Sequence, residues 1–166
     1  MNNRTRALCA AALAAWLLLA APAALAANDS SFVAHYTSAS VSAQEQTAGN
    51  LLNHDRARYH LPPLALDAEL CRIARIKSQD MLDNRYFAHT SPTYGSVRDM
   101  LTRFGYAYEA AGENIAHHAS LDKAQAAFLS SPGHRRNILS SAYTRFGVGV
   151  AVDQSGFVYL TQIFCR

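Results

Sequence analysis

"RFGVGVAVDQSGFVYLTQIFCR", residues 145–166, has a period of two. Phe146, Val148, Val150 and Val152 fall on one side of an extended chain, "DQSG" supplies a turn, and "FVYLTQIFC" returns. With Val152 opposite Phe157, that side continues through Tyr159 and Ile163, while Gly147, Gly149 and Ala151 meet Val158, Leu160 and Gln162 on the other. Both sides are then largely apolar, and a sheet that is apolar on both faces needs cover on both. The stretch predicts an α+β fold, a three-layer α/β/α sandwich with a small central antiparallel sheet, in which the glycines let one helix approach closely.

The covering helices are legible upstream. A helical pattern runs from Gln44 through Leu51, Leu52, Asp55 and Arg56 and ends at "HLPPL", where Pro62 and Pro63 forbid its continuation. Asp67 is a good N-cap for a second helix, with Glu69 in its first turn. Leu70, Cys71, Ala74, Ser78, Met81 and Leu82 step along one face of it, and Ile73 and Ile76 widen that face, so it packs on more than one side. A short third helix is expected over about 95–104 and an extended segment at "AAGENIA". A fourth helix begins at Ser120 and stops at "SSPG".

Residues 1–26 read as a secretory signal peptide, with a basic opening, an apolar run broken by Pro22, and a small-residue end at Ala26. Cys9 precedes the apolar core, which excludes a lipoprotein signal. Processing would leave 13 basic residues against 12 acidic ones, so net charge points to no nucleic-acid partner. No stable membrane span would remain, and the expected location is secreted or periplasmic/extracellular. Residues 27–42, rich in Ser and Ala, read as a spacer, and 43–166 as one domain. The triplet Asn28-Asp29-Ser30 is formally a glycosylation signal beside the cleavage site.

Outside the cytoplasm Cys71 and Cys165 are expected to form a disulfide; the alternative is two buried free thiols. In the chain-entropy model closing such a long loop stabilises by about 4–5 kcal/mol, less any native strain.

The sequence has no G-x-S-x-G elbow, H-E-x-x-H, Walker loop or calcium-loop pattern. "GVGVAV" lies within a strand that leads to another strand, unlike a dinucleotide fingerprint. His89, Glu113 and His134 remain as polar residues beside turns or element boundaries, where sites tend to be built. Two neutral imidazoles can ligate zinc or copper, with Glu113 as third ligand, general base or orienting group. The same histidines can equally pin loops, and spacing alone leaves both readings open.

The order "LLNHDRARYHLPPL", "NRYFAHTSP", "GENIA", "SSPGHRRNIL" and "FGVGVAV…GFVYLTQIFC" resembles the CAP superfamily (cysteine-rich secretory proteins, antigen 5 and pathogenesis-related 1 proteins) in its short bacterial secreted form, over residues 46–166. The resemblance implies an α/β/α sandwich and a cleft with two histidines and two glutamates, the histidines able to bind a divalent metal such as zinc. Carried over by motif, the metal-binding histidines are His89 and His134, and one cleft glutamate is Glu113, followed by Asn114. The other glutamate ends a Trp-x-x-Glu stretch in relatives; here "FLSS" puts Phe128 for the tryptophan and Ser131 for the glutamate. A serine hydroxyl neither carries charge nor exchanges a proton at neutral pH, so acid-base catalysis is weakened. Asn53 and Arg56 resemble the family's N-x-x-R signature, with a structural role expected.

Arg135 and Arg136 are candidate anion attractors or a solvated face. His117 and His118 read as loop histidines, and Tyr94, Tyr106 and Tyr108 as cleft wall or core.

The resemblance implies a binding module taking a metal and a lipid, sterol or cell-envelope ligand. Two alternatives are a metal-assisted hydrolase such as a peptidase, with Glu113 as catalytic general base, and a non-catalytic structural or host-contact protein. The balance leans away from an enzyme.

Overall fold

The computed structural model describes Ser38 and residues 40–166. The expected signal peptide and most of the spacer lie outside the described residues. Five helices and four strands follow: α1 (Ala43–Arg58), β1 (Ala65–Leu66), α2 (Ala68–Asp83), α3 (Val97–Arg103), β2 (Ala111–His118), α4 (Leu121–Ser130), α5 (Pro132–Leu139), β3 (Arg145–Val152) and β4 (Val158–Cys165). The strands form one sheet in the order β1-β3-β4-β2. β2, β4 and β3 are antiparallel neighbours, and the two residues of β1 add a short parallel edge beside β3.

The hairpin register differs by one residue from the sequence reading. Val152 pairs with Val158, not Phe157, and Phe146, Val148 and Val150 pair with Phe164, Gln162 and Leu160. The loop sets this register. Asp153 N–H donates to the Phe157 carbonyl, Gly156 takes a left-handed φ of 81°, and Asp153 Oδ1 accepts the amides of Ser155 and Phe157. A slip of one residue exchanges the two faces of β4. Gly147 and Gly149 therefore lie opposite Ile163 and Thr161, not Gln162 and Leu160.

Each face has its own core. Phe146, Val148, Leu160 and Phe164 pack with Ala48 and Leu52 of α1, Phe128 of α4 and Ile138 of α5. On the opposite face Ile163 and Cys165 pack with Leu70, Ile73 and Ala74 of α2 and with Met100 and Leu101 of α3. Helix α2 rests directly on β3. A Cβ at Gly147 would stand 2.1 Å from the Leu70 carbonyl carbon, and one at Gly149 2.0 Å from that of Ala74. Backbone thus meets backbone, as the glycine positions led one to expect.

The expected Cys71–Cys165 disulfide is absent, and both residues are buried free thiols. Cys71 Sγ accepts the Val148 N–H at 3.3 Å. Val148 pairs with Gln162, three residues along β4 from Cys165. Cys71 is thus turned toward the Val148 amide, whereas Cys165 lies at the far end of the pairing, opposite Arg145. Burial pushes the thiols up to about 12 at Cys71 and about 11 at Cys165. Neither is a thiolate nucleophile at neutral pH.

Helix α1 buries polar side chains as fasteners. Ser42 and Glu45 form its capping box, and the Glu45 carboxylate also takes Arg75 of α2 at 2.7 Å, both side chains being buried. Asn53 pairs its amide with both backbone groups of Leu64. Arg56 donates to the carbonyls of Pro62, Ile138 and Ser140. Asn53 thereby fixes the chain entering β1, and Arg56 fixes the C-terminal end of α5.

Candidate functional site

β2 is an edge strand, and the site wraps around it. Glu113, Ile115 and His117 pair with Ile163, Thr161 and Tyr159 and so share the α2 face. Asn114, Ala116 and His118 share the opposite face with Gln162, Leu160 and Val158. His89 reaches Glu113 from the loop after α2. His134 comes from the first turn of α5, where Ser131 alone separates α4 from α5 and Pro132 occupies the first helical position.

His89 Nδ1 lies 2.7 Å from Glu113 Oε1. The rings of His89 and His134 are 6.5 Å apart between centroids, and Phe128 meets the His134 ring edge-on at 5.1 Å. Glu113 is buried, and its second oxygen, Oε2, has no hydrogen-bond partner among the described residues. An unpaired buried carboxylate oxygen is costly and is a mark of a site able to take a further donor. The hydrogen bond to Glu113 raises the His89 pKa against the opposing effect of burial. Burial, with the neighbouring His89 adding to it, lowers that of His134. One imidazole is thus biased toward the cation and the other toward the neutral base.

Two buried networks hold these groups. Lys77, fully buried on α2, donates from Nζ to the carbonyls of Ala88 and His89 and to the Tyr86 hydroxyl. Asp80, one turn further along, accepts hydrogen bonds from Asn84, Tyr86, Ser91 and Thr93. Burial alone would raise the Asp80 pKa, but these four donors leave it lowered. The loop carrying His89 is therefore tied to α2 at both ends.

His134 is held from the other side of the sheet. Asn114 Nδ2 donates to the His134 carbonyl at 3.2 Å and to Gln162 Oε1 at 3.1 Å. Gln162 donates to Gln125, and Gln125 to Asp55 of α1, each at 2.8 Å. Asn137 donates to Asn114 Oδ1 and to the Glu113 carbonyl. A chain of amides thus crosses the core from α1 to the turn that presents His134.

The structure brings His89, Glu113 and His134 together and sets Asn114 behind them. Ser131 is the N-cap of α5, and its side chain makes no capping bond there. Asn53 and Arg56 lie in the fasteners of α1. His117 and His118 alternate across β2, so they face opposite sides and cannot share one ion. Arg135 stacks over Tyr59 at 4.7 Å. Tyr94, Tyr106 and Tyr108 pack against the α2–α3 core.

The positioning residues Lys77, Asp80, Gln125 and Gln162 escaped the sequence reading. Their signal was charged or amide side chains at positions where α2, α4 and β4 are otherwise apolar.

Among the described residues, no group of three or more His, Cys, Asp or Glu side chains is arranged to hold a metal ion. The donor set present is two imidazoles, one carrying a carboxylate on Nδ1, as ligating histidines do. The rings of His89 and His134, 6.5 Å apart between centroids, are the groups that would hold an ion here.

The model of the cysteine-rich secretory protein family, CAP, matches residues 50–164. The Bacillus subtilis protein YkwD is 45% identical over 124 residues, covering 74% of this chain and 48% of that protein. This chain therefore spans about half the length of that relative. A solved extracellular protein containing an SCP domain from Bacillus anthracis is 40% identical with a TM-score of 0.69, over 74% of this chain and 40% of that one. An outer surface protein of Borrelia burgdorferi shares the fold at a TM-score of 0.67 and 16% identity, over 73% of this chain and 90% of that one. The two solved neighbours are an extracellular protein and an outer surface protein, and no helix among the described residues is long and apolar enough to cross a membrane. The motif order, the three-layer fold and these matches have one origin: the chain belongs to the cysteine-rich secretory protein (CAP) family.

Proposed function

We propose that this is an extracellular binding module in which His89 and His134 hold one divalent metal ion of the zinc class, as the polar anchor of a cleft for a lipid-like or cell-envelope ligand. The carrying observation is the 2.7 Å contact of His89 Nδ1 with Glu113 Oε1. It occupies one ring nitrogen with an orienting carboxylate and leaves Nε2 as the donor. A bound zinc would supply Lewis acidity at that nitrogen pair. The lipid and envelope ligand class is supported by the family resemblance.

A metal-assisted hydrolase is the second reading, favoured by one observation: Glu113 Oε2 is buried and unpartnered, a position from which a carboxylate can take a proton. Serine at position 131 weighs against it, because the cleft then lacks the second carboxylate.

The test is calorimetric titration of metal-stripped protein with zinc, beside the His89→Ala/His134→Ala double variant. Near-stoichiometric binding lost in the variant supports the module, whereas equal or absent binding in both proteins removes the metal. Zinc-loaded protein that cleaves a peptide library, and stops doing so in Glu113→Gln while still binding zinc, would turn the reading to the hydrolase.

A further inference from the structure

The outer edge of β2 can be read residue by residue. Asp153 N–H donates to the Phe157 carbonyl, which puts the odd-numbered residues of β3 and β4 in the hydrogen-bonded pairs between those two strands. The even-numbered residues of β4, Val158 to Phe164, therefore turn their N–H and C=O groups toward β2, where they meet His118, Ala116, Asn114 and Gly112. The odd-numbered residues of β2 turn theirs the other way, off the edge of the sheet. Two bonds agree with this parity: Arg166 N–H donates to the Ala110 carbonyl, and the outward Glu113 carbonyl takes Asn137 Nδ2 at 3.2 Å. Past that capped carbonyl, the outward N–H and C=O groups of Ile115 and His117 bond to nothing among the described residues. Unpaired donors and acceptors at strand spacing are complementary to the backbone of another extended chain.

Side chains beside this row point independently to an occupant. Glu113 and His117 share the α2 face, four residues apart. The Glu113 side chain is 4% exposed, and its Oε2 has no partner among the described residues. At the other end the Phe87 ring stands 6.4 Å from that of His117 and is 51% exposed. One face of an added strand would thus meet a buried oxygen that lacks a donor and, further along, an open aromatic ring. The edge is also flanked. His89 stands at it from the α2 face, and α5 brings His134 and Asn137 to it from the opposite face. A single extended segment fits such a slot. A second copy pairing β2 with β2 would have to bring its own α5 and His89 loop into the same space.

We propose that the edge of β2 takes an extended polypeptide segment as a fifth strand. Its main chain pairs with Ile115 and His117, one side chain donates to Glu113 Oε2, and an apolar side chain lies against Phe87. The proposal narrows the cell-envelope ligand of the module to a polypeptide and rests on that reading for the role of the cleft, whereas the strand pairing itself needs no metal.

The test selects binders to the metal-stripped protein from a pool of acetylated, amidated dodecapeptides randomised at every position. The Ile115 and His117 amides should exchange hydrogen rapidly in the free protein and slowly with a selected peptide bound. N-methylation of that peptide at alternate residues should weaken binding about tenfold or more for one alternate set and little for the other, because a strand turns every second N–H to its neighbour. His117→Pro deletes an outward N–H without touching the ladder to β4, and should weaken the peptide about tenfold. His117→Ala loses the ring but keeps that N–H, and should bind nearly as the parent does. A pool that yields no binder, peptides that protect neither amide, or equal tolerance of both N-methylated sets overturns the proposal. Concentration-dependent dimerisation that is lost in His117→Pro, with no peptide bound, overturns it in favour of a second copy. Because no metal is present, failure here leaves the zinc titration standing, and failure of that titration leaves the strand pairing.

Discussion

Helices α2 and α5 are held in contrasting ways. α2 lies on β3 with backbone against backbone over Gly147 and Gly149, its Leu70, Ile73 and Ala74 packed in the core beneath, and among the described residues the Ser78 hydroxyl and the Cys71 sulfur bond to the strand itself, at the Gly149 carbonyl and the Val148 N–H. α5 is fastened by named hydrogen bonds: Asn114 to the His134 carbonyl, Asn137 to Glu113 and Asn114, and Arg56 to Ile138 and Ser140. Apolar contact of the first kind is non-directional and gives stability in proportion to area. Hydrogen bonds of the second kind give little net stability but fix position, which a pair of imidazoles requires. The scaffold and the site thus draw on different interactions within one sheet.

The sharpest challenge to that contrast is Gly149→Ala. Its Cβ would meet the Ala74 and Arg75 backbone at 2.0 Å, so either α2 lifts from the sheet or the strand bends. A loss of about 3 kcal/mol or more is expected in urea unfolding, and a loss below about 1 kcal/mol would show that α2 is not closely seated. Next in size is Gln125→Leu, which leaves Asp55 Oδ2 and Gln162 Nε2 without their partner. It should cost about 1–3 kcal/mol and also move the His134 resonances, because the amide chain ends at that residue's carbonyl. Lost stability with unmoved His134 signals would confine the chain to a structural role.

The smallest effect is on protonation. In Glu113→Gln the His89 pKa should fall, since the hydrogen bond to Glu113 is what raises it, and that of His134 should rise as the neighbouring cation weakens. The two NMR titration midpoints should converge, and midpoints that stay apart would break the link through Glu113. The signs for stability follow from linkage. The His89 contribution is fully present below its unfolded pKa of 6.5 and is lost as pH rises through the raised folded value. His134 acts oppositely: the folded state resists its protonation, and stability falls as pH drops below 6.5 toward the lowered value.

Much of the fold is written in local pattern. The two-residue period of 145–166, the caps at Asp67 and Ser120 and the paired glycines of β3 all act on neighbours in sequence or on a backbone close by. The register differs because Asp153 and Phe157 close the hairpin themselves, leaving the three loop residues 154–156 in place of the four of "DQSG", and the Asp153 carboxylate caps the turn. The disulfide was missed because compartment and cysteine number carry no information about which strand position faces Cys71. At the site, motif order named His89, Glu113 and His134, which the structure places around β2. Lys77, Asp80, Gln125 and Gln162 stayed hidden because a buried polar residue is defined by partners distant in sequence, as Gln162 is by Asn114 and Gln125.

Arg75 also has a mechanical meaning. It donates to the carbonyls of Ser38 and Ser40 while gripping Glu45, so the residues leading into α1 are moored to the middle of the most buried helix. A pull applied ahead of Ser38 would reach α2 through that guanidinium before it could peel α1 from its first turn. One side chain thereby couples the entry of the domain to two helices, so Arg75→Ala would release the Ser38 and Ser40 carbonyls and the Glu45 carboxylate together.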